Sequence, residues 1–200
     1  MKRKFLNSSM ELITKNKHYT DDEIAIMAYG LEAIYLTVTK RIVIFALAII
    51  LGIFREVILL LIFYNIIRSQ AFGIHASKSI YCLVASIVMF IGGALICKYV
   101  ILPVSIMILC AVICNICLFL YAPADTYKRP LVNEKKRKRF KVISSLLGIA
   151  YTALIILFRD YYIANYLLIG MVEAVIIILP ITYKLFKLPY NNYKTYNYGV

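Results

Sequence analysis

Two residues between Arg68 and Cys82 have the types and the spacing that covalent acyl transfer requires. His75 and Cys82 lie seven residues apart, where one apolar run ends and the next begins. A thiolate nucleophile and an imidazole base are the minimum set for forming an acyl-enzyme with a peptide carbonyl. The chain has two histidines, and the other, His18, lies in a polar N-terminal segment. His75 and Cys82 are therefore the candidate catalytic residues.

The spacing sets a condition on how these two residues could meet. Seven residues of continuous helix rise by about 10 Å, which is too far for a hydrogen bond between the two side chains. The pair can meet only if the segment from Gly73 to Ser77 bends back over the start of the next helix, which glycine and small residues permit. Cys82 would then lie in the first helical turns, where a helix N-terminus favours a thiolate. The alternative is a loop histidine and a packing cysteine without contact, and the spacing alone leaves both open.

The composition that surrounds this stretch excludes a soluble globular protein. Hydrophobic residues make up 62% of the 200 residues and charged residues 16%, whereas ordinary domains carry about 25% charged residues. The length provides for one compact helical bundle without a separate soluble domain. We therefore expect an all-α polytopic integral membrane protein that forms a single membrane domain over residues 1–200.

The net charge of +13 is distributed in short stretches between apolar runs. This distribution is typical of the positive-inside rule for cytoplasmic loops and does not indicate a nucleic-acid partner. The five cysteines are odd in number and lie in or beside apolar runs, so a disulfide framework is not expected. Cys110, Cys114 and Cys117 share one helical face without a histidine nearby and are interpreted as packing residues. No metal or cofactor is expected.

The apolar runs predict about six membrane segments with both termini cytoplasmic. The runs 42–54 and 57–67 are short, and a hairpin is favoured over one interrupted helix with Arg55 and Glu56 paired inside it. Thr20 or Asp21 is the expected cap of the helix that begins the apolar part of the chain. The predicted organisation is a polar N-terminal segment (1–23), an amphipathic helix and about four membrane segments (24–121), a basic cytoplasmic loop (122–141), the last two membrane segments (142–183) and a polar tail (184–200).

The central stretch resembles the signature of the accessory gene regulator B (AgrB) family. The family pattern is an arginine, a Gly-x-His-Ala element and a cysteine seven residues after the histidine, and the matching residues here are Arg68, Gly73, His75, Ala76 and Cys82. Phe72 stands where many members have a second glycine. Residues 121–131, YAPADTYKRPL, match a second family segment, and Tyr29-Gly30-Leu31-Glu32 match a third more weakly. The three matches occur in the family's order.

This resemblance implies a membrane cysteine endopeptidase that processes precursors of autoinducing peptides in Gram-positive quorum sensing. The Cys82 thiolate would attack a carbonyl near the C-terminal end of a small precursor, with His75 as general base and then acid. The acyl group would pass to an internal cysteine or serine of the peptide and close a thiolactone or lactone. The implied partners are an amphipathic precursor with an acidic C-terminal tail and membrane lipid, and a homodimer is left open. The implied location is the cell membrane, with loop 68–82 near the cytoplasmic face.

Four further residues have both a functional and a structural interpretation. Arg68 is either a positive-inside anchor or a residue that holds the loop or a substrate acid. Lys128 and Arg129 begin a basic run that either determines topology or docks the acidic tail of the precursor. Glu173 lies in the middle of an apolar run, where an ionisable group is a functional hypothesis by default. The alternatives to the enzyme are a peptide exporter and a non-enzymatic membrane scaffold or sensor.

Overall fold

The structure is a computed structural model of the chain that describes residues 2–14, 19–74, 79–100, 102–126 and 130–194. Its contacts group the chain into two compact units, residues 1–47 and 48–200, and each is described by itself. The regular elements of the described residues are helices, which confirms the all-α prediction. The helices are α1 (Lys2–Thr14), α2 (Asp21–Ile50), α3 (Phe54–Ala71), α4 (Ser79–Tyr99), α5 (Val104–Tyr121), α6 (Glu134–Leu157), α7 (Ile163–Ile176), α8 (Pro180–Leu185) and a short 3₁₀ helix (Asn192–Lys194). The prediction of a single membrane domain stays a prediction.

In the first unit, α2 begins at a capping box. The Thr20 hydroxyl oxygen accepts the amide of Glu23 at 3.3 Å, and the Glu23 carboxylate accepts the amide of Thr20 at 2.9 Å. Each side chain thereby satisfies an amide that the first turn would otherwise leave without a partner. Thr20 is confirmed as the cap. The predicted amphipathic helix at the start of residues 24–121 and the apolar run after it form one continuous helix.

The end of α2 lies earlier than the charges suggested. Gly52 has a φ of +64°, and the amides of Gly52 and Ile53 return to the carbonyls of Ile49 (3.1 Å) and Ala48 (2.9 Å). This pair of hydrogen bonds is a Schellman motif, which ends a helix at a left-handed glycine. The interrupted-helix alternative for residues 42–67 is therefore wrong, and the break precedes Arg55, which lies in the first turn of α3.

The second unit is organised around α7. This helix packs against α3, α4, α5 and α6, and α5 also packs along α6. Most of its side chains are buried, including Leu168, Met171 and Ala174. A hydrogen bond from the Tyr151 hydroxyl to the Phe63 carbonyl, at 2.8 Å, ties α6 to α3. The core therefore surrounds α7, while apolar side chains on the outer faces of α4, α5 and α6 remain exposed, as contact with lipid requires.

Four helical stretches in the described part of the chain are long and apolar enough to cross a membrane. They are Ile26–Ile50, Ile80–Tyr99, Val104–Tyr121 and Glu134–Leu157. The apolar helix α7 is shorter, at 14 residues. The helix α3 lies outside this set and carries Arg55, Glu56 and Arg68. These two helices account for the difference from the predicted six segments.

Two helix ends differ from the ends of the predicted segments for local reasons. The basic loop over 122–141 is shorter than predicted because α6 already begins at Glu134, after Asn133 caps it by accepting the amide of Lys136 at 3.1 Å. Most of the basic run therefore lies in the first turns of a helix. The last apolar run does not continue to Tyr183 as one helix, because α7 ends at Ile176 and α8 begins at Pro180, where proline is favoured in a first helical turn.

Candidate active site

The candidate site begins where α3 ends and the chain turns toward α4. Arg68 lies in the last turn of α3, and its carbonyl accepts the amide of Phe72 at 3.0 Å. The next backbone angles are unusual, with φ of +58° at Phe72 and +110° at Gly73. L side chains rarely adopt such angles, whereas glycine does so without a steric penalty. The chain therefore changes direction directly after α3 through a glycine-type backbone geometry.

Two neighbouring segments hold this turn by backbone hydrogen bonds. The amide of Gly73 donates to the carbonyl of Ala124 at 2.8 Å, and the amide of Ala124 donates to the carbonyl of Ala71 at 2.9 Å. The amide of Ile74 donates to the carbonyl of Ile177 at 3.1 Å. The loop after α5 and the turn after α7 thus fix the segment that leads to the candidate histidine.

The Arg68 side chain occupies the inside of the same turn. Its Nη2 atom donates to the carbonyl of Ile74 at 2.9 Å. A Cβ atom on Gly73 would lie 2.5 Å from Arg68 Nη1 and 2.7 Å from the carbonyl oxygen of Ile177. Residue 73 must therefore be glycine for the arginine to stay where it is. This is the role that the structure gives to two of the residues singled out from the sequence.

Cys82 lies near this arginine. It is the fourth residue of α4, it is partly exposed and it forms no disulfide. The Arg68 guanidinium interacts electrostatically with Cys82, and also with Tyr64 and Tyr183. The prediction that Cys82 lies in the first helical turns is confirmed, and the structure brings it together with Arg68.

Three of the residues predicted for the site lie outside the described part of the chain. They are His75, Lys128 and Arg129. The pairing of His75 with Cys82 therefore stays a prediction. The same holds for the proposed docking role of the two basic residues.

Tyr183 reaches the site from α8. Its hydroxyl donates to the carbonyl of Asp125 at 2.8 Å, and only 1% of the residue is exposed. Burial raises the pKa of Tyr183, and the nearby Arg68 guanidinium lowers that pKa by a smaller amount. The phenol therefore remains a neutral hydrogen-bond donor well above neutral pH.

Sequence reasoning missed Asp125 as a member of this region. Asp125 is 3% exposed, and its carboxylate accepts the amides of Leu131, Asn192 and Tyr193 at 3.2, 2.9 and 2.8 Å. A buried carboxylate is tolerated when hydrogen bonds replace its water. Its position in the family-like segment 121–131 was a signal for it, but nothing local indicated that the C-terminal tail returns to it.

Glu173 is buried on α7, as the apolar run predicted, with 5% of the residue exposed. A Cβ atom on Gly93 of α4 would collide with its Oε1 atom. Its Oε2 atom makes no hydrogen bond with the described residues. It interacts electrostatically with Tyr64, one turn before Arg68 on α3. Its predicted supporting role stays a prediction.

The fold and this site define an all-helical membrane protein with a cysteine outside any disulfide at a helix start, near a half-buried arginine. The family model described as accessory gene regulator B matches residues 6–179. The chain belongs to this family, and membership implies a part in the processing of quorum-sensing autoinducers.

Individual relatives cover most of the chain. An AgrB-like protein of Clostridium acetobutylicum is 34% identical over 180 residues, which is 89% of this chain and 86% of the relative. An AgrB-like protein of Listeria innocua is 31% identical over 188 residues, or 92% and 91% of the two chains. The accessory gene regulator protein B of Staphylococcus aureus is 33% identical over 153 residues, or 76% and 79%. No solved structure matches the chain.

Proposed function

We propose that the chain is a membrane cysteine endopeptidase that cleaves a small autoinducing-peptide precursor through an acyl-enzyme on Cys82. The observation that supports this proposal most is that Arg68 interacts both with the proposed nucleophile and with the segment that leads to the proposed base. Its guanidinium interacts electrostatically with Cys82 and donates to the carbonyl of Ile74, the residue directly before His75. One cation thus lies near the proposed nucleophile and holds the segment that leads to the proposed base.

In the first half-reaction, His75 takes the proton of the Cys82 thiol, and the thiolate attacks the scissile carbonyl. The peptide C–N bond breaks, and His75 returns the proton to the leaving amine of the C-terminal fragment. The N-terminal fragment remains bound to Cys82 as a thioester. Backbone amides at the start of α4 are the proposed donors to the oxyanion, since the first amides of a helix have no carbonyl one turn earlier in the same helix.

In the second half-reaction, an internal thiol or hydroxyl of the bound fragment attacks the thioester carbonyl. The bond to Cys82 sulfur breaks, the proton of the attacking group passes through His75 to the departing Cys82 thiolate, and the fragment leaves as a thiolactone or lactone. Exchange of one thioester for another nearly conserves bond energy, whereas hydrolysis would lose it. A water-poor site at the membrane boundary favours ring closure over hydrolysis.

The basic start of α6 is the proposed docking surface for an acidic precursor tail. Lys135, Lys136 and Arg139 are exposed there, and Lys128 and Arg129 precede them in the chain. The same charges suit anionic lipid at the cytoplasmic surface. The loop before α6 contacts Gly73 through Ala124. We therefore place this surface and loop 68–82 together at the cytoplasmic face of a multi-pass protein.

The test is mass analysis of a candidate precursor co-expressed in membranes with the wild type, Cys82→Ala and His75→Ala. We expect both variants to lose the shortened or cyclised peptide at unchanged protein levels. Cys117→Ala is the matched control, since that cysteine is also outside any disulfide and partly exposed, and it should process normally. Processing that survives Cys82→Ala would overturn the peptidase and favour an exporter or a scaffold.

A further inference from the structure

The carboxylate of Asp125 connects two parts of the chain that are far apart in sequence. Its Oδ1 atom accepts the amide of Asn192 at 2.9 Å and the Asn192 side-chain amide at 3.3 Å. Its Oδ2 atom accepts the amides of Tyr193 (2.8 Å) and Leu131 (3.2 Å). Both oxygens are therefore occupied by donors from the loop before α6 and from residues 189–193, which we name the C-terminal segment.

Other contacts hold the C-terminal segment in the same place. The Tyr190 ring packs edge-on against Tyr183, with ring centroids 5.0 Å apart. The Arg137 guanidinium lies 3.9 Å from the centroid of the Tyr193 ring. The Asn192 side-chain amide also donates to the carbonyl of Pro189 at 3.0 Å. The segment is thus bound at several points, and it lies beyond residue 179, where the family match ends.

The residue before Asp125 transmits this connection to the candidate site. Ala124 accepts the amide of Gly73 and donates to Ala71, so that the loop and the turn after α3 are held backbone to backbone. His75 follows two residues after Gly73. A shift of the loop would therefore move the segment that carries the proposed base.

We infer that Asp125 is a positioning residue for the peptidase proposed above, acting through the C-terminal segment. It holds the loop at Ala124 against Gly73, two residues before the proposed base His75 in the chain. The carboxylate accepts three hydrogen bonds from the segment, so that loss of either Asp125 or the segment should disturb the same loop. This inference rests on the proposed function and extends it to a part of the chain beyond the family match.

The experiment measures kcat and KM of precursor cleavage by full-length protein in nanodiscs, per mole of folded protein counted by size-exclusion chromatography. The variants are Asp125→Asn, Asp125→Ala and a chain ending at Lys187. Asp125→Ala and the truncation should each lower kcat about tenfold or more, because small misplacements of reacting groups are costly. KM should change by less than about twofold, since the contact is not with substrate. Asp125→Asn keeps the size of the side chain and one acceptor oxygen, so it should lower kcat by less than Asp125→Ala does.

Combining Asp125→Ala with the truncation distinguishes positioning from two independent losses. If Asp125→Ala and the truncation disturb the same network, kcat of the double variant should be no more than about twofold below that of the more affected single variant. The exposed Asp160 of the α6–α7 connection provides the control, and Asp160→Asn should have wild-type kinetics.

Three outcomes separate the hypotheses. Unchanged kcat per folded molecule in Asp125→Asn and in the truncation would overturn the inference and leave Asp125 a purely structural residue. If the two losses in kcat multiply in the double variant, Asp125 and the C-terminal segment do not act through one network, and that part of the inference is overturned. A wild type that does not cleave the precursor, or Cys82→Ala that does, would overturn the proposed function itself.

Discussion

Gly73 and Arg68 occupy the same small space at the end of α3, and neither can change without the other. A Cβ atom on Gly73 would lie 2.5 Å from Arg68 Nη1, and the φ of Gly73 is +110°. The guanidinium is held in turn by the carbonyl of Ile74. The arginine and the glycine of the family-like stretch are therefore one steric unit, placed directly before the proposed base.

Gly73→Ala should abolish precursor processing and destabilise the protein. The backbone angle alone costs an alanine about 1–3 kcal/mol, and the methyl group must displace the guanidinium. Gly92→Ala is the control, because a Cβ on Gly92 meets nothing within 4 Å. Thermal unfolding in detergent and the processing assay measure both effects. Equal behaviour of the two variants would show that the turn after α3 is not as described.

Arg68→Lys should fail to replace the arginine. Lysine retains the charge but lacks the planar group that reaches both the Ile74 carbonyl and the surroundings of Cys82, so that the two residues are not interchangeable here. Loss of a hydrogen bond from a charged donor should lower the free energy of unfolding by about 1.5–3 kcal/mol. We expect slower alkylation of Cys82 by iodoacetamide and a lower kcat. The exposed Arg159 provides the matched Arg159→Lys control; normal alkylation and kcat in Arg68→Lys would contradict the assigned role.

At position 72 the glycine variant should be more stable than the alanine variant, which reverses the usual order of stability. The φ of Phe72 is +58°, and its ring packs edge-on against Phe140 with centroids 4.9 Å apart. Both truncations lose the ring contact, worth about 0.5–1.5 kcal/mol, but only glycine adopts a backbone with φ +58° and ψ −127° without strain, and strain of this kind costs other residues about 1–3 kcal/mol.

Phe72→Gly should therefore unfold at a higher temperature than Phe72→Ala. At Phe140, which is helical in α6, the usual order should hold, with glycine less stable than alanine by about 1 kcal/mol. The same order at both positions would refute the described backbone at Phe72.

The features that sequence reasoning predicted correctly are local ones. The Thr20 cap depends on Glu23 three residues later, and the place of Cys82 depends on where the next apolar run begins. The left-handed end of α2 at Gly52 is equally local, but the sequence prediction placed the boundary at the charged residues Arg55 and Glu56. Helix termination followed backbone geometry rather than charge.

The features that could not be predicted join distant parts of the chain. Asp125 accepts hydrogen bonds from Asn192 and Tyr193, which follow it by 67 and 68 positions. No composition or spacing near Asp125 encodes that contact. The need for glycine at position 73 follows from the Arg68 guanidinium packed inside the turn, which the spacing between the two residues does not reveal.

Gly93 and Glu173 provide a last test, this time of how α4 packs on α7. A Cβ on Gly93 would collide with Glu173 Oε1 and lie 2.8 Å from Leu60 Cδ2. Gly93→Ala should therefore destabilise the protein, whereas alanine at the adjacent Gly92 should be neutral or stabilise it by up to about 1 kcal/mol.

The two sites should also be coupled. In a Glu173→Ala background the carboxylate is gone, so the penalty of Gly93→Ala should shrink by more than about 0.5 kcal/mol. Glu173→Gln alone should be tolerated, because no cation among the described residues forms an ion pair with Glu173. A buried charge without such a partner is expensive, so a neutral side chain of the same size should fit equally well. Thermal unfolding of the four chains of the cycle measures the coupling. Strict additivity would mean that Gly93 does not face Glu173, and strong destabilisation by Glu173→Gln would mean that the carboxylate is charged and paired.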